Sequence, residues 1–310
     1  MKAKPDGRWT GAGYAVAAYG WWGFVPAYWK LLGNVPALEI VAHRVLWSLL
    51  FTLPLVAGLG RLGELREVLR DRRRGLALLG SGALIGLNWG IFIWAVGQGR
   101  IVETSFGYFL NPLVSIALGV ALLGERMRRA QLVAVALAIA GVMVLGLGSG
   151  AAPWLPLSLA GSFALYGLVR KLTRVSSLVG LTVETGMMLP LALALVAKLE
   201  LSGASHFGAG DTRATVLLAL SGAMTAMPLL WFARAARSLP LSTLGFFQYL
   251  APTLAAVLAV AFYGETFDHT RLVALSFIWA GIAVFSVDSL RSEGTAPAPM
   301  SPAVTAAPPE

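Results

Sequence analysis

Uninterrupted apolar stretches of about 18 to 25 residues recur along almost the whole chain, and they restrict its fold more than any other feature. Each stretch is long enough to cross a hydrocarbon core of about 30 Å as a helix. The composition agrees, because 57% of the residues are hydrophobic and only 13% are charged. An average soluble chain is about a quarter charged. The sequence therefore predicts an all-α polytopic membrane protein.

Ten of these stretches are predicted to be transmembrane helices. A short N-terminal segment, 1–10, precedes them. A Pro/Ala-rich tail, 291–310, follows them and is expected to be disordered because it lacks an apolar face to pack. The one long loop, 59–74, is predicted to be an amphipathic surface segment. The predicted spans are 11–32, 36–58, 75–97, 101–123, 130–148, 153–170, 177–197, 212–235, 242–263 and 270–289.

The distribution of Lys and Arg predicts the orientation of these spans. Eighteen of the 24 basic residues fall in segments on the N-terminal side, five fall on the other side, and Arg44 lies within a span. Because short cytoplasmic loops carry the excess of Lys and Arg, both termini are predicted to face the cytoplasm. The net charge of +9 is spread over these loops rather than gathered on one face. Nucleic acid is therefore not an expected partner.

The chain also contains an internal repeat. Shifting the sequence by 140 residues, without gaps, aligns 92–145 with 232–285. The repeated unit holds five spans, and an odd number forces the second copy to cross the membrane in the opposite direction. Inverted repeats of this kind are typical of secondary transporters. The predicted halves are 11–149 and 150–290, and the most informative matches are Pro112 with Pro252, Gly124 with Gly264, Glu125 with Glu265 and Gly141 with Gly281.

Long motifs in a fixed order run through both halves. They include "AYGWWGFVPAYWKLLGNVPALEIVAHRVLWS", "NWGIFIWAV", "ETSFGYFLNPL", "FALYGLVRK" and "MPLLWFARAARSLPLSTLGFFQY". Over about residues 11–288 the chain closely resembles the EamA group of the drug/metabolite transporter superfamily. The resemblance implies ten helices in two inverted five-helix repeats in the cytoplasmic (inner) cell membrane, and a permease that exports small metabolites or drug-like molecules. The chain departs from the pattern at Gly97, where relatives usually carry Asn.

Polar and ionisable side chains inside the predicted spans are the candidate site residues. A charge in hydrocarbon costs a few kcal/mol and normally faces the bundle interior or a wet cavity. Glu39 and His43 share one helical face, whereas Arg44 lies about 140° from Glu39 and needs another partner. A structural hydrogen bond or salt bridge between helices is the alternative for each. The candidates for substrate binding or coupling are Arg44, Glu184, Glu39, His43, Asn88, Tyr108, Asn111, Gln248 and Tyr249.

Two further predictions concern the middle of the membrane. The helical rise places Arg44 and Glu184 about 12 Å from opposite faces, at levels that differ by about 6 Å. We therefore predict that they pair, and that an anionic or zwitterionic substrate, or protonation of Glu184, opens the pair. Pro112 and Pro252 each remove a backbone donor. They are predicted to kink two equivalent helices beside the substrate path, with a simple packing kink as the alternative.

These features favour a secondary transporter that works by alternating access around a midplane cavity. A passive facilitator or channel is the main alternative. No Walker-type loop is present, so active transport would use an ion gradient, and coupling to protons is left open. An intramembrane enzyme is the more distant alternative, since His43 is the one histidine within a predicted span.

Metals and cofactors are not expected. The chain has no cysteine, and Glu39 with His43 supplies too few metal ligands. We therefore expect no metal or cofactor; the expected partners are a small-molecule substrate and membrane lipid, with a homodimer left open.

Overall fold

The computed structural model describes residues 5–98, 100–149, 154–263 and 269–291, and the regular elements in these ranges are all helices. The turn that contains Glu265 and the Pro/Ala-rich tail lie outside the described residues. The helices are α1 (Pro5–Lys30), α2 (Ala37–Gly58), α3 (Leu62–Arg70), α4 (Arg72–Gly97), α5 (Ile101–Leu123), α6 (Arg129–Ser149), α7 (Trp154–Leu172), α8 (Ser177–Leu201), α9 (Thr212–Ser238), α10 (Leu241–Gln248), α11 (Leu250–Tyr263) and α12 (His269–Arg291).

The helices confirm the all-α polytopic class. Large apolar side chains point outward, such as Leu191 and Leu201, which are 77% and 90% exposed, as expected of a surface that faces lipid. Helices cover each of the ten predicted spans, but the count of ten membrane crossings stays a prediction. Within the described ranges, seven segments are long and apolar enough to cross a membrane: Ala37–Gly58, Arg72–Phe92, Phe106–Leu123, Arg129–Leu147, Ser177–Leu201, Thr212–Ser238 and Leu272–Ser289.

The two repeated prolines occupy different helical positions. The predicted span 242–263 is divided, because α10 ends at Gln248 and α11 begins at Leu250. Pro252 lies in the first turn of α11, where a missing N–H leaves no helical hydrogen bond unmade. Pro112 instead lies inside α5, which continues through it. The equivalent kinks expected from the sequence are therefore a helix break in one half and an interior proline in the other.

The helices pack in pairs that correspond under the 140-residue shift. The contacts of α1 with α9 and α11 correspond to the contacts of α7 with α4 and α5. The contact of α2 with α9 corresponds to the contact of α8 with α4. The pairs α6–α12, α2–α8 and α5–α10 are each their own counterpart. Several helix contacts of one half therefore recur in corresponding form in the other.

The crossing of α6 and α12 shows this correspondence at atomic detail. A Cβ at Gly141 would lie 2.6 Å from the carbonyl oxygen of Ala274, and one at Gly281 would lie 2.7 Å from that of Ala134. Gly141 and Gly281 are repeat counterparts, and so are Ala134 and Ala274. The contact is reciprocal. The two helices run antiparallel, because residue numbers that increase along α6, from Ala134 to Gly141, meet residue numbers that decrease along α12, from Gly281 to Ala274. Glycine is needed at both positions since the backbones touch there.

The turn between α9 and α10 is held by two charges. The carboxylate of Glu125 accepts hydrogen bonds from the backbone N–H groups of Leu241 at 2.6 Å and Ser242 at 2.8 Å. Lys171 donates to the carbonyl oxygen of Leu239. Each charge matches the helix end that it contacts, the carboxylate at an N-terminus and the ammonium at a C-terminus. Glu125 follows α5 in the chain, and the fold brings the start of α10 to it.

Candidate functional site

Arg44 lies in a cluster built from four helices. Its Nε donates to Thr225 Oγ1 on α9 at 3.0 Å. Its Cζ lies 4.4 Å from the ring centroid of Trp89 on α4 and 5.0 Å from that of Trp29 on α1. We call Arg44, Trp29, Trp89 and Thr225 the arginine–tryptophan cluster. Among the described residues, no ion pair includes Arg44.

The indole rings of Trp29 and Trp89 stabilise the Arg44 guanidinium between the helices. A cation over an aromatic face is stabilised by about 0.5 to 2 kcal/mol, more when water is excluded. Tyr108, another predicted site residue, lies within electrostatic range of Arg44 and packs edge-on against Phe92 at 6.0 Å. The side chain of Tyr108 is 47% exposed. The cluster therefore combines one cation with several aromatic rings.

Glu184 lies in a separate and fully buried network. Ser81 Oγ on α4 donates to its Oε1 at 2.5 Å, and the Tyr166 hydroxyl on α7 donates to its Oε2 at 3.5 Å. Arg170 Nη1 lies 3.4 Å from the same Oε1, and both charged side chains are only 1% exposed. A Cβ at Gly180 would overlap this guanidinium, at 1.9 Å from Nη1. The absence of a side chain at Gly180 thus makes room for the ion pair.

The predicted Arg44–Glu184 pair is therefore wrong: the structure pairs Glu184 with Arg170. The two sites lie beside different parts of α4. Ser81 contacts Glu184 and Trp89 contacts Arg44, and these two residues are about 12 Å apart along α4. Arg44 and Glu184 are counterparts under the 140-residue shift, and the folded chain holds them in separate clusters.

Glu39 and His43 both contact the loop between α8 and α9. Glu39 is fully buried, accepts the backbone N–H of His206 at 2.7 Å and lies 2.8 Å from Nδ1 of that histidine. His43 stacks on Phe207 at 4.8 Å and accepts from Trp47 Nε1 at 3.2 Å. This arrangement matches the structural alternative, in which the two side chains fasten a loop to α2. A substrate role for either stays a prediction.

The remaining predicted site residues lie at helix contacts. Asn88 donates to the carbonyl of Leu159 and to Ser162 Oγ, both at 2.9 Å, and so joins α4 to α7. Gln248 donates to Ser115 Oγ on α5 at 2.8 Å, beside the α10–α11 break. Within the described chain, the buried oxygens that have no hydrogen-bond partner include three near this break: Asn111 Oδ1, Gln248 Oε1 and the Tyr249 hydroxyl.

Sequence reasoning missed the groups that surround the two charges. Arg170 is the last residue of the predicted span 153–170, so the charge pattern places it with the basic residues on the cytoplasmic side. One sequence feature does indicate that Arg170 can reach Glu184. The connection between α7 and α8 is short, so the chain turns back soon after Arg170 and enters the helix that carries Glu184. Trp29 and Trp89 carry no such signal, because aromatic residues are common throughout the spans. The missed residues are Arg170, Ser81, Tyr166, Trp29, Trp89 and Thr225.

Comparison with known proteins agrees with the fold. The EamA-like transporter family matches residues 9–147. The chain is 45% identical to Protein RarD of Streptomyces exfoliatus, over 94% of this chain and 92% of that protein. It is 45% identical to Protein RarD of Escherichia coli, over 90% and 94%, and 34% identical to the chloramphenicol-sensitive protein RarD of Pseudomonas aeruginosa, over 86% and 90%. A solved crystal structure with 21% identity and a TM-score of 0.69 covers 94% of this chain and 100% of its own.

A bundle of long apolar helices with ionisable clusters inside it defines a multi-pass helical membrane protein of the transporter type. The chain belongs to the EamA-like transporter family, within the RarD proteins of the drug/metabolite transporter superfamily. The resemblance noted from the sequence motifs is confirmed.

Proposed function

We propose that the chain is a secondary transporter that exports small metabolites or drug-like molecules across the inner cell membrane by alternating access. In this proposal the halves 11–149 and 150–290 are inverted copies related by a two-fold axis in the membrane plane. The observation that carries the proposal is the reciprocal, antiparallel crossing of Gly141 on Ala274 and of Gly281 on Ala134. Two equivalent halves give two packings of similar energy, and rocking between them exposes a central site to either side.

The positions of the two charged sites favour a role in transport over a role in stability alone. Arg44 and Glu184 occupy equivalent positions in the two halves, at the contacts of α2 with α9 and of α8 with α4. Those contacts join one half to the other, so a change of charge at either site acts on the boundary that must move. We propose that a proton on Glu184 weakens its pairing with Arg170 and favours one of the two packings.

The orientation gives a direct test. Reporter fusions at residue 150 and at the C-terminus are expected to report opposite sides of the membrane, outside and inside respectively, because the first half would contain an odd number of crossings. Enzyme reporters that are active on only one side make the measurement. A fusion at residue 60 is the control and should report the cytoplasm. Two fusions that report the same side would contradict the inversion.

Transport itself is tested in two steps. Untargeted comparison of the external metabolites of overexpressing and deleted cells should identify exported compounds, and chloramphenicol is included because one relative is named for sensitivity to it. The identified compound is then supplied to proteoliposomes. We expect uptake to accelerate severalfold when a pH gradient is imposed. Uptake that follows only the substrate concentration would instead support a passive facilitator.

A further inference from the structure

We propose that the arginine–tryptophan cluster is a recognition site for the carboxylate of a small substrate with an apolar or aromatic body. The role of the site in transport rests on the proposed function, but the binding step does not. The proposal narrows the substrate class from any small metabolite to an organic anion.

The first argument is the charge itself. Arg170, Arg100 and Arg128 each have a carboxylate within ion-pair distance, namely Glu184, Glu103 and Asp288. Arg44 has none among the described residues, although it lies within α2 and is surrounded by other helices. An unpaired charge at membrane depth costs a few kcal/mol. A bound anion would remove this cost, so the site has a built-in preference for one.

The second argument is the geometry of the guanidinium. Its Nε is used by Thr225, and its Cζ is close to the rings of Trp29 and Trp89. Cation–π contacts involve the faces of the planar group, while its hydrogen-bond donors point outward along its edge. The two terminal amino groups have no hydrogen bond to any described residue, and they form the paired donors that a carboxylate accepts in bidentate fashion. A lysine could not reproduce this paired contact.

The third argument is what surrounds the charge. Trp29 and Trp89 provide aromatic surface against the cation, and Tyr108, which interacts electrostatically with Arg44, packs in turn on Phe92. Such a lining suits an anion with a flat or apolar body, since the body can pack on the rings while its carboxylate meets Arg44. A cationic molecule would be repelled, and a neutral molecule would leave the terminal amino groups unpaired.

Tight packing between α2 and α9, one helical turn after Arg44, fixes the position of this residue. Ser48 Oγ donates to the carbonyl of Gly222 at 3.1 Å, and a Cβ at Gly222 would lie 2.2 Å from the carbonyl carbon of Trp47. Helices α2 and α9 therefore touch one turn from Arg44. Three helices of the cluster belong to the first half and α9 belongs to the second. An anion held here would contact both halves and could bias the packing between them.

Binding is tested on the full-length purified protein in detergent, by quenching of its intrinsic tryptophan fluorescence with benzoate. We expect saturable quenching by benzoate, at least tenfold weaker binding of its neutral analogue benzamide, and none by benzylamine. Arg44→Gln should weaken benzoate binding at least tenfold, and Arg44→Lys should restore only part of it. Arg213→Gln, which removes a basic residue at the start of α9, is the matched control and should bind as the original does. Equal binding by Arg44→Gln, equal binding of benzamide, or no saturable binding of benzoate would overturn the proposal.

A second measurement keeps Arg44 in place. Tyr108→Cys introduces one thiol into a chain that has no cysteine. We expect an anionic methanethiosulfonate reagent to react at least tenfold faster than a cationic one, and benzoate to slow the reaction. Equal rates, or no reaction with either reagent, would count against an accessible cationic site. Retained binding without transport would contradict the proposed function alone, whereas retained transport without Arg44-dependent binding would contradict the site alone.

Discussion

Removing one partner of the Arg170–Glu184 pair is expected to destabilise the protein by about 3–5 kcal/mol, because the other charge is left buried and uncompensated. Both side chains are 1% exposed, so water cannot replace the lost partner. Arg170→Met and Glu184→Leu should each lower the unfolding temperature markedly, as measured by tryptophan fluorescence on heating. The double variant should recover most of the loss, since apolar groups can replace a buried pair at little cost. The imperfect hydrogen bonding of Arg170 favours this recovery, because its Nε has no partner in the described structure.

The same double variant separates stability from function. If protonation of Glu184 couples transport to the pH gradient, the double variant should fold well yet lose the pH dependence of transport. Glu184→Gln should likewise lose transport or its pH dependence while still inserting into the membrane. Arg61→Gln, which removes a half-exposed charge paired with Glu64, is the control and should behave as the original does. Normal pH-dependent transport by Glu184→Gln would assign Glu184 a structural role only.

Alanine at Gly141 or Gly281 is expected to destabilise the protein by about 1–3 kcal/mol or more, because each new Cβ would overlap a backbone carbonyl of the facing helix. Backbone cannot move aside as a flexible side chain can. The two variants should have similar effects, since their contacts are reciprocal. Leucine at either position should prevent folding, as measured by the yield of monodisperse protein.

Gly80→Ala is the matched control for these substitutions. It lies within α4, and nothing lies within 4 Å of a Cβ placed there. Since alanine favours helix over glycine by about 1 kcal/mol, this variant should be neutral or stabilising. Unequal effects at Gly141 and Gly281, with one variant as stable as Gly80→Ala, would contradict the reciprocal contact and weaken the case for two equivalent halves.

The helices themselves were largely predictable, for local reasons. Apolar length fixes where a helix can cross a membrane, and the described helices cover the predicted spans. Two boundaries differ from the prediction. The span 242–263 is divided shortly before Pro252, whereas α5 continues through the equivalent Pro112, so the proline by itself does not determine the break. Helix α1 begins at Pro5 rather than at residue 11, because its first turns are helical but too polar to be recognised as part of an apolar span.

The sequence by itself determined the membrane class, the positions of the helices, the 140-residue repeat and the family, because these depend on residue type and spacing along the chain. Only the tertiary structure decided the partners of the charges. Helical rise gives the depth of Arg44 or Glu184 on its own helix, but not which neighbour stands opposite. That choice depends on the rotation and crossing of packed helices, which brought Arg170 to Glu184 and two indoles to Arg44. Burial then favours whichever nearby group satisfies the charge.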